Sequence, residues 1–140
     1  MIKATIDLNI VLEFLNKREN HIQAAKIFDL CSRNVIEGYL CAHEITTLAY
    51  FLMKNHHDSS QVKYVLGELL DLFHTIPITG NILREALNSK INDYEDAVIE
   101  ISSIKSGTNY IITRNLSDFK HSKVKSISPA ELLALQSLRG

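Results

Sequence analysis

Short runs of β-branched and apolar residues alternate with segments of helical period along the whole chain. That alternation constrains the fold more than any other feature. Strand, helix and strand in succession build parallel units, and helices must then cover the sheet. The first run, residues 2–6, passes through Asp7 straight into a helix over 9–17. A second helix covers 21–32, with Ala24, Ile27, Phe28 and Cys31 at i, i+3, i+4 and i+7. Residues 35–41 form a second strand, and Ile45, Leu48, Ala49 and Leu52 give the next helix its inner stripe. Asp58 and Gln61 have the spacing of a capping box. Residues 73–78 make a short strand that Pro77 confines to an edge or a strand end. Thr79 caps the helix after it.

Asn92, with Glu95 three residues on, marks another helix start, with Tyr94, Ala97, Val98 and Ile101 inward. Residues 110–113 form a buried strand, 115–119 a turn of helix and 126–128 a brief strand. Ser128, Pro129 and Glu131 then combine a cap, a proline at N1 and an acid at N3. No repeat, linker or low-complexity tract interrupts the series. Residues 1–140 therefore read as one α/β domain with a mainly parallel sheet.

Composition narrows the function. The hydrophobic fraction of 46% fits a globular chain with a real core. No window approaches the roughly 18 apolar residues of a membrane span, and the first residues lack the charged and apolar regions of a secretory signal. Cys31 and Cys41 form no CxxC pair and read as reduced core thiols of a cytoplasmic protein. A net charge of −1 excludes a general nucleic-acid coat but leaves room for a local basic rim.

Polar residues concentrate where such a sheet would expose them. Asp7 and Asn9 follow the first strand; Asp93 and Asp96, at i and i+3, open a helix; Asn115 and Asp118 follow the strand 110–113. Each has an ordinary explanation. Asp7 suits a helix N-cap, and Asp93 and Asp96 suit the positive end of a helix dipole. Together they suggest more, since the exit edge of a parallel sheet binds ligands and clustered carboxylates repel unless they share a cation. Hard divalent ions such as Mg²⁺ take oxygen ligands and can promote attack on a phosphate.

At this point the residues carry a resemblance. Asp7-Leu8-Asn9, Glu95-Asp96-Ala97 and Thr113-Arg114-Asn115-Leu116-Ser117-Asp118-Phe119 occur in the order of the PIN-domain family, which includes VapC-like toxins of toxin–antitoxin pairs. The likeness extends over essentially the whole chain. It implies a three-layer α/β/α sandwich and cleavage of RNA with Mg²⁺ or Mn²⁺. Carried over residue by residue, it makes Asp7, Asp96 and Asp118 the metal carboxylates, with Asn9 and Asn115 as orienting groups; Asp93, on the same helix face as Asp96, is a further candidate metal acid from its spacing alone. It also implies a homodimer and a cognate antitoxin.

One departure stands out. Where the family places a glutamate on the helix after the second strand, this chain has Thr47, and its acid is Glu44, three residues earlier. Glu44 could reach the cluster from one turn back, or be only a first-turn acid; Thr47 could still meet the substrate side. Arg114, Lys120 and Lys123, with His121 and Lys125, could contact the RNA backbone or form a solvated loop. His56 and His57 are adjacent and complete no zinc spacing. Two rivals remain: a PIN-fold module that binds RNA or antitoxin without efficient cleavage, and a phospho-acceptor domain with Asp7 as nucleophile.

Overall fold

The computed structural model describes residues 1–55 and 57–139, so the expectation about His56 lies outside the described residues. Strands β1 (Lys3–Ile6), β2 (Glu37–Cys41), β3 (His74–Ile76), β4 (Tyr110–Ile112) and β5 (Lys125–Ile127) make one sheet in the order β3-β2-β1-β4-β5. Every pairing is parallel. The chain builds outward from β1 to β3, then returns to the other side of β1 for β4 and β5. The carboxyl ends of β1 and β4 therefore flank the topological switch point, where doubly wound sheets leave a crevice.

Helices α1 (Leu8–Leu15), α2 (His21–Ser32), α3 (Ala42–Lys54), α4 (Ser59–Leu72), α5 (Gly80–Ala86), α6 (Tyr94–Ser106) and α7 (Pro129–Leu138) cover the sheet, with a 3₁₀ turn at Leu116–Phe119. The pleat divides the apolar side chains between two cores. Ile6, Leu40 and Ile112 face one core with Ile27, Leu48, Leu69 and Leu132. Cys41, Ile76 and Ile111 face the other with Ile82, Val98, Ile99 and Phe119. This is the three-layer α/β/α architecture expected from the alternation and the resemblance.

The caps explain where the helices begin. Asp58 accepts from the Gln61 N–H at 2.9 Å, Thr79 from Ile82 at 3.2 Å and Ser128 from Glu131 at 3.1 Å. β3 lies at the sheet edge and stops before Pro77, because proline has no N–H for a ladder.

Helix α6 differs from expectation. Asp93, not Asn92, is its N-cap, and its carboxylate accepts from the Asp96 N–H at 3.0 Å. Its inner face is also turned: Tyr94 is 45% exposed, while Ser102 and Ser103 are buried. The cause is polar packing. Ser103 donates to Thr5 of the central strand at 2.8 Å, and the Thr5 and Thr108 hydroxyls are 2.9 Å apart. Apolar periodicity does not register a face built from small hydroxyl residues.

Candidate metal centre at the switch point

The register of β1 and β4 places Ile6 opposite Ile112, so Asp7 and Thr113 leave the sheet side by side. The Asp7 N–H donates to the Ile112 carbonyl at 2.9 Å, and the Thr113 hydroxyl donates to Asp7 Oδ2 at 2.7 Å. Asp7 occupies the N-cap position of α1, yet its side chain makes no cap hydrogen bond. Burial raises its pKa; the Thr113 hydroxyl and the facing Leu8 and Asn9 N–H groups oppose that rise. The ordinary explanation for Asp7 thus accounts for its position and not for its carboxylate.

Glu44 enters from the other side of β1. It stands at N3 of α3 and is completely buried. Its Oε1 accepts from the Cys41 N–H at 3.1 Å, while its Oε2 has no hydrogen-bond partner. Burial first, then the Asp7 charge, pushes its carboxyl well above the usual range. Thr47 is half-buried, and its hydroxyl donates back to the His43 carbonyl at 3.0 Å. The α3 side chain that feels Asp7 is Glu44.

The start of α6 closes a third side. The Asp96 carboxyl is pushed up to about 7, first by burial, then by the charges of Asp93, Asp7, Asp118 and Glu95. One side chain thereby senses acids from β1, α6 and the 3₁₀ turn. Asp93 is exposed and serves as the cap. Asp118 is exposed on the 3₁₀ turn, and Asn9 is half-buried on α1. Asn115 is exposed, and its backbone N–H donates to the Thr113 hydroxyl at 3.0 Å. The contact that orients Asp7 is therefore made by Thr113, with Asn115 behind it.

The basic residues divide. Arg114 holds Glu13 with two bonds, Nε to Oε1 at 2.7 Å and Nη2 to Oε2 at 3.0 Å. Glu13 is itself buried, so the guanidinium is pinned over α1 and not free beside the carboxylates. Lys120 lines a polar hollow of about 390 Å³ with Lys90, Asn92, Asp93, Asp118 and His121. Lys123 lines the adjoining hollow, and its backbone N–H is held by Glu100 at 2.7 Å.

Sequence reasoning missed three participants. Thr113 has no role legible in the sequence, because its place beside Asp7 follows only from the strand register. Glu95 reads in sequence as the N3 acid of a cap at Asn92; with Asp93 as the cap, its charge acts on Asp7 and Glu44. His43 has both ring nitrogens buried without partners, and burial lowers its pKa.

The donors are carboxylate oxygens, the ligand type that hard divalent cations take, and the Glu44 carboxyl, with one oxygen partnerless, feels the charges of Asp7 and Glu95. By donor chemistry the residues fit such an ion. Among the described residues, no three acidic, cysteine or histidine side chains are arranged so that they could hold a metal ion together as they stand.

Fold and site together define a doubly wound α/β/α domain with an acidic switch point. A PIN domain profile matches residues 3–117, and the chain belongs to that family. Curated proteins give no sequence match. Solved structures do. The chain is similar to VapBC2 from Rickettsia felis bound to a promoter DNA fragment, with TM-score 0.68 and 18% identity over 91% of this chain and 98% of that one. It is similar to a toxin–antitoxin complex from Klebsiella pneumoniae, with TM-score 0.68 and 18% identity over 90% and 97%. FitAcB from Neisseria gonorrhoeae gives TM-score 0.65 and 19% identity over 91% and 98%. At these identities the likeness establishes the fold.

Proposed function

We propose that this PIN domain is a Mg²⁺- or Mn²⁺-dependent endoribonuclease, the toxin of a toxin–antitoxin pair. The observation that carries the reading is the convergence on Asp96, whose carboxyl feels Asp7 and Asp118 from separate elements at one sheet edge. Asp7, Asp96 and Asp118 would hold the cation. When bound, it supplies charge to the phosphate and lowers the pKa of water. The chain's own residues do the rest. Thr113 fixes one oxygen of Asp7, and Asn9 stands one turn-start away to orient a substrate group. Lys120, with Lys90 in the same hollow, draws the RNA backbone toward Asp118. In hydrolysis water adds to phosphorus, the P–O bond to the leaving ribose oxygen breaks, and that oxygen gains a proton.

Partner and setting follow the same reading. One of the similar structures is a toxin–antitoxin complex from Klebsiella pneumoniae, which supports an antitoxin for this chain. An apolar groove of about 550 Å³ between α1, α2 and α4, lined by Phe14, Phe28, Tyr64 and Leu69 and rimmed by Asp29 and Glu68, suits an amphipathic helix with basic flanks. Exposed Tyr50, Phe51 and Met53 on α3 offer a surface for homodimer formation. Two buried free thiols suit a reducing cytoplasm. Among the described residues no helix is long and apolar enough to cross a membrane.

The test is cleavage of a mixed-sequence RNA with Mn²⁺ and with chelator. Wild type cuts only with metal, and Asp7→Asn and Asp96→Asn each lose at least a hundredfold in rate. A second reading, binding without cleavage, draws on Thr47 at the usual glutamate position and on the lack, among the described residues, of three side chains arranged to hold a metal ion. RNA retained but never cut would select it.

A further inference from the structure

Thr47 leaves the site one carboxylate short of its family, and its hydroxyl is turned back onto its own helix at the His43 carbonyl. Three residues earlier on the same face, and nearer the sheet edge, stands a carboxylate that capping alone does not explain. We infer that Glu44 takes over the missing role, supplying the α3 carboxylate for a divalent cation bound at Asp7. The inference rests on the metal-dependent reading above and adds a ligand from a shifted helix position.

Three observations support it. First, Glu44 is completely buried and only one of its oxygens is used: Oε1 accepts from the Cys41 N–H at 3.1 Å, and Oε2 has no partner. A cap needs one acceptor oxygen and can form at the surface. It gives no reason to bury the second oxygen without a donor, where desolvation is expensive. Second, β1 and β2 run in parallel with Thr5 opposite Tyr39, so Asp7 and Cys41 leave the sheet side by side, and Glu44 is held on the Cys41 N–H next to Asp7. Third, no ion pair among the described residues includes Glu44. Among the described residues the ion pairs are Arg33–Asp29, Lys105–Glu85 and Arg114–Glu13, and the nearest arginine in the motif is committed to Glu13. A buried carboxylate beside another requires a proton or a cation. A hard divalent ion satisfies both carboxylates at once.

The competing role is purely structural, and Glu44→Gln separates the two. Glutamine keeps an oxygen for the Cys41 N–H but removes the charge. Mn²⁺ affinity is measured by calorimetry on metal-free wild type, Asp7→Asn and Glu44→Gln, with melting temperature recorded for each. The inference predicts at least a tenfold weaker Mn²⁺ affinity for Glu44→Gln, with metal-free melting unchanged or higher. Mn²⁺ binding as tight as wild type in Glu44→Gln, but lost in Asp7→Asn, overturns the inference and leaves the metal-dependent reading standing. Absence of Mn²⁺ binding in wild type overturns both. Should Glu44→Gln fail to fold, Glu44→Asp withdraws the carboxylate by one methylene; a severalfold weaker affinity supports the ligand role, and unchanged affinity overturns it.

Discussion

At the scale of single residues, the site depends on how few donors meet its acids. Thr113 gives Asp7 its one side-chain hydrogen bond and is fully buried. Thr113→Val keeps the shape and removes the donor, leaving a buried acceptor unpaired. It should cost about 1–3 kcal/mol in urea unfolding and weaken Mn²⁺ binding; unchanged values for both would remove Thr113 from the site. The acids also set a pH dependence. Asp96 titrates near 7 in the folded chain, above its ordinary 3.8, so the folded state binds more protons between those values. Stability from that carboxyl is complete below about pH 4 and is lost as pH rises through about 7. With chelator present, wild type should melt lower at pH 8 than at pH 5, and Asp96→Asn should lose less over the same interval. An equal fall in both proteins would place the titration elsewhere.

Elements show what a sequence reveals and what it hides. Capping boxes, Pro77 and the alternating apolar runs were legible, because each follows from local chemistry. Asp7, Asp96 and Asp118 stood out as acids beside apolar elements. The α6 face was not legible, since Ser102 and Ser103 are buried with no apolar period, Ser103 through its hydroxyl contact with Thr5. Thr113 and Glu44 were hard to place for another reason: their roles depend on which strands are neighbours, a long-range property. Gly38 belongs with these. It sits in β2, where an added Cβ would come within 2.7 Å of both the Cys31 sulfur and the Phe73 ring. Gly38→Ala should destabilise the protein by roughly 1–3 kcal/mol through overpacking against Cys31 of α2 and Phe73 at the end of α4, read as a lower urea midpoint. A neutral result would mean that Phe73 moves aside freely.

For the whole molecule, strand order determines where the acids meet. Because β4 returns to β1 and not to β3, the exits of two central strands lie together, and α3 and α6 begin beside them. Four segments far apart in the chain thus bring their acids to one edge. Repulsion among those acids is a standing strain on the metal-free fold, and a cation that binds only the folded state must raise its melting temperature. Crystals grown metal-free and soaked in Mn²⁺ test this most directly through anomalous scattering. The account predicts a single strong peak bonded to Asp7 Oδ1 or Oδ2 and Asp96, with Glu44 or Asp118 completing the protein ligands. A peak away from Asp7, or none at Mn²⁺ concentrations that saturate binding in solution, would contradict it.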